Sequence, residues 1–277
     1  MLDEIILNAL KEDIGEGDHS SLACLKDEDT GVARLLVKEA GILAGVHVAQ
    51  RVFKLHDASL EIDVFIEDGA AIKVGDIAME VRGKAQSILS TERLVLNIMQ
   101  RMSGIATKTH HIVTQIKHTG AKVLDTRKTT PGIRVLEKMA VVIGGGMNHR
   151  FGLYDMIMLK DNHIDFSGGV KKAIQKTTSY VSSLSKSINI EVEIRSKDEL
   201  LEAIETDAVQ RILLDNFTPK ELKELVPLIP GHIESEASGG ITEETIVAYA
   251  ETGVDFISMG ALTHSVKSLD LSLKAYF

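Results

Sequence analysis

The sequence predicts an α/β protein in two parts, a small α+β unit over roughly the first hundred residues and a longer run of strand–helix alternation after it. Three observations carry this. Short apolar runs recur after residue 120, each followed by polar or glycine residues. Helix-like stretches lie between them, an order that implies parallel strands with right-handed crossovers. The chain has 277 residues, 44% hydrophobic and 26% charged, enough to bury a large core without covalent staples.

The elements follow in order. Leu2, Ile5, Ile6, Ala9 and Leu10 give Leu2–Glu12 the spacing of an amphipathic helix. Ala33–Lys38, Leu60–Ile66 and Ile77–Val81 read as strands, broken by turns at Glu67-Asp-Gly69 and Lys73-Val-Gly75. Ser90–Ile116 has the pattern of a long helix, with Gly104 as a plausible break. Six strands follow, at Val123-Leu124, Met156–Leu159, Ile188–Val192, Ile212–Leu214, His232-Ile233 and Phe256-Ile257. Helices are expected at Ile133–Ile143, Gly169–Leu184, Lys197–Thr206, Pro219–Val226 and Thr242–Thr252. Ser196 and Thr218 each stand three residues before a glutamate in a capping-box pattern, and Gly253 occupies a C-cap position. This alternation fits a (β/α) barrel or a doubly wound sheet.

Composition excludes several functions. The net charge is −9 and aromatics make up 4% with no tryptophan, which argues against binding nucleic acid or an anionic membrane. Cys24 is the sole cysteine, so no disulfide forms within the chain; it reads as a small core residue. The acidic start lacks signal-peptide features and no apolar run reaches the ~20 residues of a membrane span, so the cytoplasm is the expected location. The charge is uneven. Residues 101–163 hold ten Lys and Arg against four Asp and Glu, a balance of +6 that leaves −15 elsewhere. A basic segment in an acidic chain suits a pocket for a small, multiply charged anion better than a long polyanion.

Strand ends supply the chemistry. Arg127 and Lys128, then His149 and Arg150, then Lys160 lie where a barrel places its active site, and together suit carboxylate or phosphate oxygens. Lys128 or Lys160 alone would also suit a Schiff-base lyase. Glu193 and Asp215 end neighbouring strands, and strand-end carboxylates of this kind suit Mg²⁺. Glu191 shares the face of Glu193, pointing into the interior or toward an inward lysine. Ser238-Gly239-Gly240 and Ser258-Met259-Gly260 have the glycine-rich form of backbone phosphate loops. His110 and His111 are expected on a solvated helix face.

Read together, these motifs resemble the quinolinate phosphoribosyltransferases, decarboxylating type II phosphoribosyltransferases. The resemblance spans essentially the whole chain. It runs through Ala9-Leu-Lys-Glu-Asp13, Glu92-Arg93, Asp125-Thr-Arg-Lys-Thr129, Asn148-His-Arg150, Lys160 with Asn162-His163, Glu191-Val-Glu193, Leu214-Asp-Asn216 and Ser238-Gly239. It implies an N-terminal α/β sandwich at 1–102 and a seven-stranded, TIM-like barrel at 103–266, with the tail 267–277 packing on the sandwich. It also implies a homodimer with shared active sites. The substrates would be quinolinate and phosphoribosyl pyrophosphate, and the cofactor Mg²⁺. Arg127, His149, Arg150 and Lys160 would bind the quinolinate carboxylates, with Arg93 entering from a second subunit. Lys128 would serve phosphoribosyl pyrophosphate. Glu193 and Asp215 would hold metal and ribose or pyrophosphate. Ser238, Gly239, Gly240, Ser258 and Gly260 would cradle the 5′-phosphate. Lys128, Lys160, Glu193 and Asp215 are the expected catalytic set. The other readings are a relative acting on another acidic heterocycle, such as nicotinate or the substrate of the paralogue associated with molybdenum transport, and a non-catalytic phosphosugar-binding barrel.

Overall fold

A computed structural model describes residues 1–276 and divides the chain into two compact units. Unit 1 comprises residues 1–110, 129–145 and 262–277; unit 2 comprises 111–128 and 146–261.

Unit 1 begins with helices α1 (Leu2–Ile14) and α2 (His19–Cys24). Strand β1 (Thr30–Val37), the two-residue β2 (Gly41–Ile42), helix α3 (Val46–His56) and strands β3 (Glu61–Val64), β4 (Ala71–Ile72) and β5 (Ile77–Lys84) follow. Next come helix α4 (Ala85–Ile116), most of which lies in this unit, and, after strand β6 (Lys122–Leu124) of unit 2, helix α5 (Arg134–Ile143). At the far end of the chain lie helix α11 (Ala261–His264) and strand β12 (Leu271–Tyr276). The main sheet is antiparallel in the order β12-β1-β5-β3, so the last strand of the chain pairs with the first. Alternation in β1 buries Ala33, Leu35 and Val37. Helix α3 buries five side chains, among them Val52 and Phe53. Cys24 is exposed, a departure from the expected core position. It ends a six-residue helix capped by Asp18, which accepts from the backbone N–H groups of Ser20 and Ser21.

Helix α4 runs through Gly104 without a break. The glycine is needed for close approach, because a Cβ there would collide with the Lys267 carbonyl oxygen. His110 and His111 are exposed on this helix, as expected.

In unit 2, β6 is followed by β7 (Ile157–Leu159), β8 (Ile190–Ile194), β9 (Arg211–Asp215), β10 (Glu234–Ser238) and β11 (Phe256–Ser258). All six are parallel, in the order β6-β11-β10-β9-β8-β7. The first strand thus pairs with the last, the neighbour relation of a (β/α) barrel; a doubly wound sheet keeps its first strand inside the sheet. Met147 makes a parallel bridge to Leu124 and supplies a seventh strand position beside β6. Helices α6 (Asp161–Ser167), α7 (Val170–Ser182), α8 (Lys197–Glu205), α9 (Pro219–Leu225) and α10 (Ile246–Ala250) complete the alternation. Thr218 and Glu221 form the expected reciprocal cap of α9. Ser196 accepts from the Glu199 N–H, whereas the Glu199 carboxylate takes the N–H of Arg195. Helix α10 is shorter than its pattern, because the Thr245 hydroxyl accepts the Thr242 N–H at 2.9 Å and holds the preceding residues in turns. Among the described residues no helix is long and apolar enough to cross a membrane.

One strand lies further along the chain than expected. Glu234–Ser238, expected as the loop after His232-Ile233, is β10 itself. Glu234, Glu236 and Ser238 share one face and Ser235 and Ala237 the other, and Ser235, Glu236 and Ala237 are all buried. Strand β8 has the same arrangement. Ile190, Val192 and Ile194 are buried, and so are Glu191 and Glu193 between them.

Candidate active site

Every expected site residue except Arg93 lies in unit 2, at or beside a strand end. Arg93 is exposed on α4 in unit 1. Arg127 and Lys128 follow β6 and are exposed. Arg150 follows Met147 and is half-buried, with Nη1 donating to the Met156 carbonyl at 3.2 Å. Burial and the like charge of Arg127 push its pKa down. A pair of guanidinium groups that disfavour one another in the free protein is suited to a dianion that relieves both.

Lys160 follows β7, and its Nζ donates to Glu193 Oε2 at 3.1 Å. Glu193 is nearly buried, while the Lys160 side chain remains about half exposed. Asp215 ends β9, and Asn216 Nδ2 donates to its Oδ2 at 2.6 Å. Burial and the negative charge of Glu193 raise the Asp215 pKa, against the opposing pull of Lys160. Two carboxylates that repel one another, with oxygen as the only donor atom, fit a Mg²⁺ ion that completes its shell with water and substrate oxygens. The ion pair of Lys160 with Glu193 counts against a free amine for Schiff-base chemistry.

Ser238 ends β10, and Gly239-Gly240 follow it. Gly239 has φ +97°, and a Cβ there would collide with the side-chain oxygen of Asn216, which itself has φ +59°. The two adjacent strand ends also meet through backbone, the Asn216 N–H donating to the Ser238 carbonyl at 2.9 Å. Gly260 precedes α11.

Two expected site residues turn inward. His149 is buried, and its Nε2 lies 3.0 Å from Glu191 and 3.4 Å from Glu236. Burial opposes the charge on this ring, but the two glutamates outweigh it and raise its pKa to about 9. Its Nε2 faces the two interior glutamates. Glu191 points into the interior, the first of its two expected placements, and faces this histidine and not a lysine. Ser258 is buried too, and its hydroxyl hydrogen-bonds Glu236. The expectations also missed Arg211 and Glu236, which meet at 3.1 Å. Arg211 opens the apolar run of β9, and Glu236 stands in the mostly polar β10, so neither carried the strand-end pattern that marked the other residues.

Comparison with known proteins decides the family. The C-terminal domain profile of the quinolinate phosphoribosyl transferases matches residues 105–274, and the N-terminal domain profile matches 18–103. The chain belongs to the quinolinate phosphoribosyltransferase family. Within it, a probable nicotinate-nucleotide pyrophosphorylase (carboxylating) of Bacillus subtilis is 44% identical over 98% of this chain and 92% of that protein. The mitochondrial quinolinate phosphoribosyltransferase (decarboxylating) 2 of Nicotiana glauca is also 44% identical, over 99% and 82%. Among solved structures, NadC from Streptococcus pyogenes superposes with a TM-score of 0.93 at 40% identity, covering 100% of this chain and 97% of that one. Human nicotinic acid phosphoribosyltransferase, 10% identical with a TM-score of 0.62, shares the fold. Membership in the quinolinate phosphoribosyltransferase family accounts for the order in which the strand ends deliver basic, then acidic, then glycine-rich segments.

Proposed function

We propose that this protein transfers the phosphoribosyl group of phosphoribosyl pyrophosphate to quinolinate, yielding nicotinate mononucleotide, pyrophosphate and CO₂ in NAD biosynthesis. The observation that carries this reading is a single mouth in which Arg127, Arg150 and Lys160 stand beside the Glu193–Asp215 pair, in a chain of this family. The cations take the two carboxylates of quinolinate and orient its ring nitrogen. Arg93 joins them from the second copy of a homodimer. Lys128 contacts phosphoribosyl pyrophosphate, and the loops at Ser238, Gly239, Gly240, the Ser258 backbone and Gly260 hold its 5′-phosphate. Glu193 and Asp215 hold Mg²⁺, which when bound neutralises charge on the departing pyrophosphate.

The chain's own residues do the rest. The ring nitrogen forms a bond to the ribose C1 while the C1–O bond to pyrophosphate breaks, its electrons leaving with pyrophosphate. Positive charge grows at C1, where Glu193 and Asp215 stabilise it. The quaternised ring nitrogen then stabilises the electron pair that loss of CO₂ leaves on the adjacent ring carbon. The bond from the adjacent ring carbon to its carboxylate breaks, CO₂ departs, and a proton fills the carbon. Release of Lys160 from Glu193 frees its ammonium for the substrate carboxylate. The proposed place of action is the cytoplasm.

The test is incubation of the purified protein with Mg²⁺, phosphoribosyl pyrophosphate and quinolinate, with product analysis. Nicotinate mononucleotide and CO₂ should form in equal amounts, with far less product from nicotinate. Folded protein that makes neither product, or that prefers nicotinate, contradicts the assignment.

A further inference from the structure

Below the mouth, the interior of unit 2 holds an ionic cluster that no role above uses. Glu191 and Glu236 have no exposed surface, and His149 and Arg211 are nearly buried. Arg211 donates to Glu236 at 3.1 Å and to Glu234 at 2.7 Å, and its guanidinium lies over the Phe256 ring at 4.2 Å. His149, Glu191 and Glu236 would also make a plausible set of metal ligands. Arg211 and His149, however, already bring positive charge to the two carboxylates. Buried ion pairs return little net stability compared with apolar packing of the same volume. A cluster of this kind therefore calls for a second reason to exist.

The geometry of His149 supplies one. Its Nδ1 lies 2.6 Å from the backbone nitrogen of Arg150, and its backbone N–H donates to the buried Asp125 Oδ1 at 2.8 Å. The other ring nitrogen, Nε2, faces Glu191 at 3.0 Å and Glu236 at 3.4 Å. Glu236 in turn is fixed by Arg211 and by the Ser258 hydroxyl. One imidazole thus joins the interior cluster to the backbone of an arginine whose side chain stands at the mouth.

We propose that Arg211 and Glu236 are positioning residues for the substrate-carboxylate site, holding His149 so that the Arg150 backbone is seated and its guanidinium aimed. This rests on the reaction proposed above. The test uses the full-length protein and the variant Glu236→Gln, which keeps size and shape but removes the charge. Its KM and equilibrium Kd for quinolinate should each rise at least ~10-fold, while kcat and the KM for phosphoribosyl pyrophosphate stay within about threefold. Ser235→Ala, on the same strand but bonded to Asp255, is the control and should leave both KM values unchanged. If Glu236→Gln does not fold, Arg211→Lys is read by the same criteria. Unchanged quinolinate affinity, an equal rise in both KM values, or the same effect from Ser235→Ala overturns the proposal. A wild-type protein that binds quinolinate but makes no nicotinate mononucleotide overturns the assigned reaction instead, and the ratio of Kd values still decides the positioning role.

Discussion

Glu191 and Glu193 are two residues apart on β8, yet they belong to regions with opposite electrostatics. In the interior layer, His149 and Arg211 have raised pKa values and Glu236 a lowered one, each held charged by its partners against the cost of burial. Glu191 is the exception, its pKa raised chiefly by burial. At the mouth the sign reverses. Arg150 is pushed down by burial and Arg127, and Asp215 is pushed up by burial and Glu193. In the interior His149 and Arg211 face carboxylates, whereas at the mouth Arg150 lies near Arg127 and Asp215 near Glu193. A strand that carries both shows how one barrel spends stability at its rim and keeps order beneath it.

The largest expected effect comes from removing a mouth charge. Asp215→Asn should lower kcat by ~100-fold or more while leaving the protein as stable as wild type or more so at pH 7. The sign follows from linkage. Asp215 has a folded pKa above its unfolded value, so its ionised form costs stability at neutral pH, and that cost fades as pH falls through the folded pKa. The gap in thermal midpoint between variant and wild type should therefore narrow toward acid. A less stable Asp215→Asn protein at pH 7 would break the contrast between the two layers.

A smaller effect is expected at Arg93, which belongs to neither layer. Arg93→Ala should lower kcat/KM for quinolinate by ~10-fold or more, the scale of one charge-assisted hydrogen bond. Stability should change by less than about 0.5 kcal/mol, as for other exposed side chains. Unchanged turnover at low quinolinate would remove Arg93 from the site.

The sequence revealed the mouth more readily than the interior for a physical reason. Arg127, Arg150, Lys160, Glu193 and Asp215 each follow or end an apolar run, and parallel strands deliver such residues to one face of the barrel. Arg211 begins β9 and Glu236 is the middle of β10, whose mostly polar residues ordinarily signal a solvated segment. Here both faces are buried, so Glu234-Ser-Glu-Ala-Ser238 looked like a loop although it is β10. The inward turn of His149 was hidden too, because its partners come from β8 and β10, far away in sequence. The break anticipated at Gly104 failed because that glycine serves close packing against Lys267 and not a change of direction.

The central claim is that the mouth is built for a dianion. Equilibrium titration of the wild-type protein with quinolinate and with nicotinate, which lacks the second carboxylate, tests it directly. Quinolinate should bind at least ~10-fold more tightly, the scale of one added charge-assisted contact. Equal affinity for the two acids would contradict the account.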